Sequence, residues 1–323
     1  MMASIIDVAK KAGVSIATVS RVVNNSGYVN QATREKVIES IKTLGYVPNE
    51  LARSMLKKKT RLIAMIVPGL YNPFFADIAH HVEQELDQHG FKMLITNSSS
   101  PLGLEVEYLE MLKQNKVDGL IIISDNEIED LIESELPIVS FDRHFEHTPF
   151  VACDNYDGGR LAAKTLSDAG SKHLLYLGDD SYVSQGHFAT EVSKRKSGFL
   201  TYCREHNIKC DVLEFPKNTP IEDTIQTIIK EKKHDGIFAI SDFLATKIIK
   251  EANRQHVNIP KDLKVIGFDG MDDTLNTGLI ITSIYQDRKK IAKELVDTLI
   301  KKIKGKHVSR KIISISLKTG ETV

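Results

Sequence analysis

The 323-residue sequence predicts a small all-α head followed by a larger α/β body made of two doubly wound parallel-sheet lobes. Two observations predict this division. Helical periodicity with capping signals covers about the first sixty residues, whereas short apolar strands alternate with helices from residue 61 onward. The charge changes at the same place, because residues 1–61 carry a net charge of +7 and the remaining residues carry −7. A basic head on an acidic body indicates a module that binds a polyanion.

The head begins with two short helices joined by a tight turn. Ser4 and Asp7 have the spacing of a capping box, and Gly13 is suited to end the first helix in the left-handed conformation. Ser15 is a favourable N-cap for the second helix. The apolar stripe of that helix consists of Val19, Val22 and Val23. Two helices separated by a few residues around a glycine predict a helix-turn-helix.

The outward face of the second helix carries small, uncharged groups and a single cation instead of Lys and Glu. In a helix-turn-helix, the start of the second helix enters the major groove of DNA. Ile16 and Ala17 fit thymine methyl groups, and Ser20 can bind a phosphate or a base edge. Arg21 can bind guanine through two hydrogen bonds. The alternative is a helical hairpin that packs against the rest of the same protein.

A third helix completes the head, which we predict to span residues 1–47. It is expected over residues 31–44, with Asn30 as its N-cap and Gly45 at its end. Its buried stripe is predicted to consist of Val37, Ile41 and Leu44.

Residues 48–60 are predicted to form a hinge helix and linker. Pro48 interrupts the chain, Asn49 can cap a short helix, and a basic run follows. The helix would carry Leu51, Ala52, Met55 and Leu56. So short a helix is marginal alone and would become ordered against a partner. In a minor groove, Met55 would act as an apolar wedge between bases. The alternative is a basic linker with incidental apolar residues.

The body, residues 61–323, alternates strands and helices, which predicts parallel sheets covered on both faces. One lobe is expected at about 61–157 plus 288–317, and the other at 158–287 plus the C-terminal end. The predicted strands are RLIAMIVP, GFKMLIT, VDGLIIIS and LPIVSFD, followed by KHLLYLGD, CDVLEF, DGIFAIS and LKVIGFDG. The last predicted strand lies in KIISISLKTG, and no leucine heptad follows it, so we expect a dimer rather than a tetramer.

Polar and aromatic residues concentrate where the predicted strands end, which is where sheets of this kind bind ligands. Carboxylates and an arginine that bind pairs of hydroxyls, with an aromatic ring for stacking, are typical of a carbohydrate site. The candidates are Tyr71, Asn72, Phe74, Asp142, Arg143, Arg195, Ser241, Asp242, Asp269 and Gln286. Taken singly, each has a structural explanation, since strand-end aspartates often cap helices and Arg195 could form a surface ion pair.

The segment IIDVAKKAGVSIATVSRVVNNSGYVNQATREKVIESIKTLGYVPNELARSM resembles the N-terminal signature of the lactose/galactose-repressor (LacI/GalR) transcription factors. The shared motifs include D-V-A-x-x-A-G-V-S, T-V-S-R-V, T-R-x-x-V and G-Y-x-P-N-x-x-A-R. The resemblance continues weakly but in register to the C-terminus, and it implies a body with the fold of periplasmic binding proteins. The stretch VDGLIII…LPIVSFDRH is similar to repressors of sucrose-type operons.

The resemblance also implies roles for individual residues. Base contacts would come from Ser15, Ile16, Ala17, Ser20 and Arg21. Phosphate contacts would come from Ser4, Asn24, Asn30 and Thr33, with Tyr46 and Asn49 nearby and Met55 in place of the usual hinge leucine. Effector contacts would come from Phe74, Arg143, Arg195, Asp269 and Gln286. Two positions depart from the family pattern, since Ser241 replaces an asparagine and Asp287 replaces a proline.

Together these features predict a homodimeric repressor that binds near-palindromic operator DNA under the control of a small molecule, a sugar or sugar phosphate. Closure of the lobes on the ligand would change how two hinge segments meet. The alternatives within the family are a global catabolite-type regulator that answers to a phosphorylated carrier protein, and a purine-responsive repressor.

Other classes of protein fit the sequence less well. The N-terminus lacks a signal peptide, so we expect a cytoplasmic protein rather than a sugar-transport protein, and no apolar run suits a membrane. LGDDSYVSQGH contains no G-x-S-x-G, and DGLIII is followed by no G-x-G-x-x-G, so we expect no enzyme. Cys153, Cys203 and Cys210 lack metal-type spacing, and the histidines are scattered. We therefore expect reduced thiols, no metal site and no cofactor.

Overall fold

The computed structural model describes residues 3–47, 59–98, 103–124, 126, 128–146, 148–179, 190–216, 220–271 and 277–323. The chain forms two compact units, Met1–Thr60 and Arg61–Val323. Each unit has its own hydrophobic core. Within the described ranges, no helix combines the length and apolar character needed to cross a bilayer.

The head contains three helices, α1 (Ile5–Ala12), α2 (Ile16–Val23) and α3 (Gln31–Leu44). Their ends follow the predicted caps. Ser4 and Asp7 form a capping box at α1, and the side chains of Ser15 and Asn30 cap α2 and α3. Gly13 and Gly45 end α1 and α3 in the left-handed conformation, at φ 66° and 58°. The core of the head is formed by Val8, Ala9, Val19, Val22 and Val37.

The first lobe of the body is built on a six-stranded sheet in which all neighbouring strands are parallel. Its strands are β1 (Leu62–Val67), β2 (Lys92–Asn97), β3 (Gly119–Ile122), β4 (Ile138–Phe141), β5 (Phe150–Cys153) and β11 (Lys311–Ile313). Their order is β11-β5-β4-β3-β1-β2. The helices of this lobe are α4 (Pro73–Gln88), α5 (Gly103–Lys113) and α10 (Arg288–Ile303).

The second lobe has a sheet of the same size, with the order β12-β10-β9-β8-β6-β7. Its strands are β6 (His173–Asp179), β7 (Lys209–Phe215), β8 (Gly236–Ala239), β9 (Lys264–Asp269), β10 (Thr282–Tyr285) and β12 (Ser316–Lys318). Neighbours are parallel except for β10 and β12, which are antiparallel. Its helices are α6 (Asn155–Asp168), α7 (Ser193–Glu205), α8 (Glu222–Glu231) and α9 (Asp242–Arg254).

Strand β1 shows why these sheets are covered on both faces. Ile63, Met65 and Val67 pack into the cluster formed with α4 and α10, whereas Ala64 and Ile66 pack into the cluster formed with α5. Side chains alternate between the faces of a strand, so a continuous apolar run requires a core on each side. The predicted fold class, a helix-turn-helix head with two doubly wound lobes, is confirmed.

The chain crosses between the two lobes three times. The crossings lie between β5 and α6, between β10 and α10, and between β11 and β12. The third differs from the sequence expectation, which treated KIISISLKTG as one strand. Lys311–Ile313 pairs with β5 in the first sheet, and Ser316–Lys318 pairs with β10 in the second. The break occurs because the two short segments satisfy the edges of different sheets.

Candidate nucleic-acid interface and ligand pocket

Helix α2 presents the polar and small residues that the sequence assigned to its outer face. Ser15, Ile16, Ala17 and Arg21 are exposed, and Ile16 is 47% exposed although it is a large aliphatic residue. Val19 and Val22, on the other side of the helix, are buried in the head core. The exposed face is therefore apolar enough to touch base methyl groups and is not occupied by packing within the head.

Arg21 extends from this face with its aliphatic stem along Gly27, whose backbone has φ +71°. Among residues 3–47, no side chain and no backbone carbonyl forms a hydrogen bond or ion pair with its guanidinium. Within the described head, its five N–H donors are therefore available to bind another molecule. Ser20, one residue earlier, accepts a 3.1 Å hydrogen bond from Nδ2 of Asn24, which leaves its own hydroxyl hydrogen to donate.

Of the side chains expected at phosphates, Ser4, Asn30 and Thr33 lie at helix N-termini, whereas Asn24 lies at the C-terminal end of α2. Ser4 Oγ accepts from the Asp7 amide at 3.3 Å, and Asn30 Oδ1 accepts from the Thr33 amide at 2.8 Å. Helix N-termini attract anions because their first N–H groups and the helix dipole both favour negative charge. Tyr46 is half-buried against the head core. Asn49, Ala52 and Met55 lie outside the described residues.

The body contains a cavity of about 330 Å³ at the carboxyl ends of the strands of both lobes. Eight of the ten predicted effector residues line it, and they come from both lobes. These are Tyr71, Asn72, Phe74, Asp142, Arg143, Arg195, Ser241 and Asp269. The cavity lies where doubly wound sheets bind ligands.

The other two predicted residues, Asp242 and Gln286, lie behind the cavity wall and are fully buried. Asp242 accepts hydrogen bonds from the Ser283 hydroxyl and the Met271 amide, both at 2.7 Å. These bonds direct its carboxylate toward β10 instead of the cavity. Gln286 donates to Asp269 Oδ1 at 3.0 Å and thereby positions a residue that does line the cavity.

Arg195, in α7, connects the two lobes at the cavity floor and is 5% exposed. Its Nε donates to Asn155 Oδ1 at 2.7 Å and its Nη1 donates to the Ile240 carbonyl at 2.8 Å. Its Nη2 lies 3.8 Å from Asp142 Oδ2, in the first lobe, and its guanidinium stacks on Phe268 at 3.6 Å. Such a buried cation requires this complete set of partners.

Asp142 and Arg143 follow β4 at the first-lobe side of the cavity. Asp142 Oδ1 accepts a 3.0 Å hydrogen bond from Asn155. Burial raises the pKa of Asp142 to about 6, against the opposing effects of Arg195 and Asn155. Arg143 pairs with Glu129 and donates to the Ser124 carbonyl at 2.7 Å, so its charge is balanced within its own lobe.

Asp269 ends β9 on the second-lobe side. Burial raises its pKa well above the usual range, and the neighbouring carboxylate of Asp242 acts in the same direction against Arg195. Both cavity aspartates have positive φ, 53° at Asp142 and 111° at Asp269. Non-glycine residues with such backbones concentrate at functional sites.

Aromatic residues from both lobes surround these charges. Tyr71, which is 70% exposed, lies edge to face with Phe243 at 6.4 Å, although the two rings belong to different lobes. Phe74 packs on Phe141 deeper in the cavity. Carboxylates with flat apolar surfaces can bind hydroxyl pairs and stack on the C–H face of a sugar ring.

Sequence reasoning missed several residues of this site. Asn155 binds both Asp142 and Arg195, but no strand was predicted at residues 150–153, so the search at strand ends did not reach it. Two further residues hold Arg143: Ser124 ends the predicted strand VDGLIIIS and could have been found by that signal, whereas Glu129 follows no predicted strand. Phe268 lies inside a strand and looks like an ordinary core residue.

Comparison with known proteins agrees with both parts of the structure. Residues 4–49 match the bacterial regulatory proteins of the lacI family, and residues 163–323 match the periplasmic binding protein-like domain. A sucrose operon repressor from Streptococcus mutans is 38% identical over 336 residues, with all of both chains covered. The chain belongs to the lacI family of bacterial regulatory proteins.

Two solved structures show the same architecture as this lacI-family chain. The lac repressor dimer bound to operator and an anti-inducer has a TM-score of 0.86 at 24% identity, over 100% of this chain and 99% of that one. A LacI-type regulator from Alkaliphilus metalliredigens, complexed with D-xylulofuranose, has a TM-score of 0.71 at 27% identity. That likeness covers 81% of this chain and 98% of the other.

Membership of the lacI family confirms that the protein is a DNA-binding transcriptional regulator and not an enzyme. The helix-turn-helix interpretation of α1 and α2 is therefore correct, and the alternative of a purely structural helical hairpin is excluded.

Proposed function

We propose that the chain is a homodimeric repressor of a carbohydrate-utilisation operon, active in the cytoplasm and controlled by a sugar. The full-length similarity to a sucrose operon repressor supports the operon class. The operator-bound dimer of the lac repressor, which shares the fold, supports a dimer on near-palindromic DNA. Two identical heads on a two-fold axis require two half-sites with matching symmetry.

In this proposal the exposed face of α2 reads the operator. Ile16, Ala17 and Arg21 would contact base edges, with Ser15 and Ser20 at the same groove. Phosphates would bind through the remaining predicted residues, with Ser4, Asn30 and Thr33 at helix starts and Asn24 and Tyr46 at the C-terminal ends of α2 and α3. Residues 48–60, with Asn49, Ala52 and Met55, would form the hinge that enters the minor groove.

The observation that carries the effector proposal is the pair of buried aspartates on opposite sides of one cavity. Asp142 and Asp269 belong to different lobes, and both line the cavity together with Arg195. A ligand bound to both would favour the closed arrangement of the lobes, since only there can it reach the two carboxylates at once. The change would pass to the hinge and alter DNA affinity.

The charges of the cavity favour a neutral sugar over a sugar phosphate. Arg143 pairs with Glu129, Arg195 lies near Asp142, and Lys247 pairs with Glu222 at 2.9 Å. A phosphate would have to compete for cations that already have carboxylate partners. Hydroxyl groups, in contrast, can donate to Asp142 and Asp269 without displacing an existing ion pair. The D-xylulofuranose complex of the related regulator supports a sugar of this kind.

The test is a thermal-shift screen of the purified chain with sugars, sugar phosphates and purines, followed by operator titration. A ligand that binds the native state raises the unfolding temperature. We expect a neutral mono- or disaccharide to give the largest shift and to change operator affinity measured by fluorescence anisotropy. A shift from purines alone would overturn the sugar assignment, and a shift from sugar phosphates alone would overturn the preference for a neutral sugar. If the chain bound operator and unrelated DNA with equal affinity in this titration, the repressor assignment would be overturned.

A further inference from the structure

Two histidines and a carboxylate meet at the amino-terminal edge of the second sheet, at the opposite end from the cavity. His173 begins β6, Asp211 lies in β7, and His234 precedes β8. Nε2 of His173 and Nε2 of His234 lie 3.1 and 2.8 Å from the same oxygen, Oδ2 of Asp211. The three potential ligand atoms all lie within 4.8 Å of one another.

The backbone around this cluster is held by Asp235. Its carboxylate accepts hydrogen bonds from the Lys172 and His173 amides at 2.9 to 3.0 Å. Its own amide donates to the His173 carbonyl at 3.1 Å, and its carbonyl accepts from the Lys264 amide at 3.0 Å. The segments that carry the two histidines are therefore fixed to each other. Asp211 is placed by the β6–β7 ladder, in which it pairs with Leu175.

We propose that His173, Asp211 and His234 form a binding site for a divalent transition-metal ion of the Zn²⁺ class. Imidazole nitrogen with carboxylate oxygen is a donor set that suits zinc, and three protein ligands leave the fourth tetrahedral position for water. Metal–ligand bonds of about 2.0–2.1 Å place tetrahedral ligand atoms about 3.3 Å apart. The two nitrogen–oxygen separations, 3.1 and 2.8 Å, are close to that value, and the two imidazole nitrogens lie within 4.8 Å of each other.

The burial of the cluster suits a bound ion. The side chains of His173 and His234 are 15% and 9% exposed, and that of Asp211 is 36% exposed on the edge strand β7. The imidazoles are thus positioned by packing, with their rings 4.6 Å apart, while the carboxylate leaves an entry path. Nothing in DNA binding or in the ligand cavity uses these three residues, so the site is independent of the proposed function.

Lys233 acts as the competitor of the metal. Its Nζ lies 2.7 Å from the same Asp211 oxygen, and its side chain is 53% exposed. Hydrogen bonds from Lys233 and His234 hold the pKa of Asp211 well below its usual range, so this carboxylate is already ionised. When a cation binds, the lysine can move into solvent. Lys233 therefore weakens metal binding without being a ligand.

The experiment is a Zn²⁺ titration of the chelator-treated full-length chain by calorimetry, with Co²⁺ as a spectroscopic substitute. We expect one equivalent to bind, visible Co²⁺ bands of tetrahedral intensity, and a higher unfolding temperature. His173→Ala and His234→Ala should each weaken binding by more than about tenfold. Lys233→Ala should strengthen it. His206→Ala, an exposed histidine of the same lobe, is the matched control and should leave the affinity unchanged.

His173→Gln and Asp211→Asn guard against misfolding, because both keep a hydrogen-bonding side chain at the cluster. If their metal-free unfolding temperatures equal that of the unaltered chain, weaker binding reports ligand loss. Absence of binding at 100-fold excess of Zn²⁺ would overturn the proposal. The proposal would also be overturned if the His173 and His234 variants bound Zn²⁺ as tightly as the unaltered chain, or if Lys233→Ala bound it more weakly.

Discussion

Asp142 and Asp269 occupy comparable places in the two lobes, each at the carboxyl end of a central strand and each with positive φ. A backbone of this kind costs about 1–3 kcal/mol and persists only where the surroundings enforce it. Here the enforcing contacts are Asn155 at Asp142 and Gln286 at Asp269. The strain directs both carboxylates into the same cavity.

Sequence could predict which residues follow strands but not which of them reach the cavity. Asp242 and Asp269 both end strand motifs, yet Asp242 is turned away by Ser283 and the Met271 amide. Those partners lie 41 and 29 residues further along the chain, so their approach depends on tertiary structure. The assignments of individual effector residues remain predictions for the same reason.

Replacement of Arg21 by alanine should remove base discrimination from the head. A bidentate contact to guanine contributes about 1–3 kcal/mol, so the ratio of specific to non-specific affinity should fall by about 5- to 150-fold. Salt-dependent binding to phosphates should persist. The measurement is fluorescence anisotropy with operator and scrambled duplexes at two salt concentrations. Lys42→Ala removes one charge from α3 as a control and should lower both affinities equally. An unchanged ratio in Arg21→Ala would reject its role.

Replacement of Asp269 by alanine should abolish the thermal shift caused by the sugar that stabilises the unaltered chain most. A hydrogen bond to a charged group contributes about 1.5–3 kcal/mol, so affinity should fall by about 10- to 150-fold. Asp269 is a better test than Arg195, because removal of Arg195 would take the donor from Asn155 Oδ1 and from the Ile240 carbonyl, and the cation from Asp142. The control is Asp223→Ala, on the exposed side of α8. A normal sugar titration in Asp269→Ala would remove Asp269 from the site.

At the scale of elements, the closest packing lies between α6 and α7. A Cβ atom at Gly159 would lie 1.9 Å from the Arg195 carbonyl, and one at Gly198 would lie 2.0 Å from the Tyr156 carbonyl. Both contacts are with backbone, so neither can be relieved by a side-chain rotation. The two helices approach closely because glycine occupies both crossing positions, and this approach brings Arg195 next to Asn155.

Gly198→Ala should therefore destabilise the body and weaken sugar binding together. Overpacking of this kind costs about 1–3 kcal/mol, and the forced separation of α6 and α7 would lengthen the Arg195–Asn155 hydrogen bond. Thermal unfolding and the sugar-induced shift measure the two effects. Gly103→Ala is the control, since among the described residues no atom outside its chain neighbours and its own helix backbone lies within 4 Å of the added methyl group. Equal unfolding temperatures for Gly198→Ala and the unaltered chain would contradict the account of the helix crossing.

Local patterns predicted most elements of this chain because central strands such as β1, β3 and β8 are apolar runs and each head helix carries its own caps. They failed at KIISISLKTG, where two three-residue strands join different sheets. The choice of sheet depends on which edge each segment meets, and periodicity contains no such information. The histidine cluster was missed similarly, since Asp211 lies 38 residues from His173 and 23 from His234.

At the scale of the whole molecule, the buried aspartates should make stability depend on pH. In the folded chain the pKa of Asp142 is about 6, against 3.8 for a free aspartate. The folded state holds this proton more tightly than the unfolded state does. The free energy of unfolding contributed by Asp142 should therefore fall by about 2 kcal/mol as pH rises from about 4 to 7.

The measurement compares the unfolding of the unaltered chain and Asp142→Asn by denaturant between pH 4 and 7. As pH rises, the free energy of unfolding of the asparagine variant should increase relative to that of the unaltered chain. His234 has a lowered pKa from burial and acts in the opposite direction, but it is present in both proteins and cancels. Parallel pH profiles would show that Asp142 titrates as an ordinary surface carboxyl group.

The three crossings between the lobes have a mechanical consequence. A single connecting segment would let one lobe rotate freely relative to the other. Three parallel connections resist both twisting and sliding of the lobes. Hinge bending is then the deformation that costs least energy, so we expect the two lobes to open and close along nearly one coordinate. A few ligand contacts inside the cavity can therefore bias this one motion of the lobes instead of being spread over many different motions.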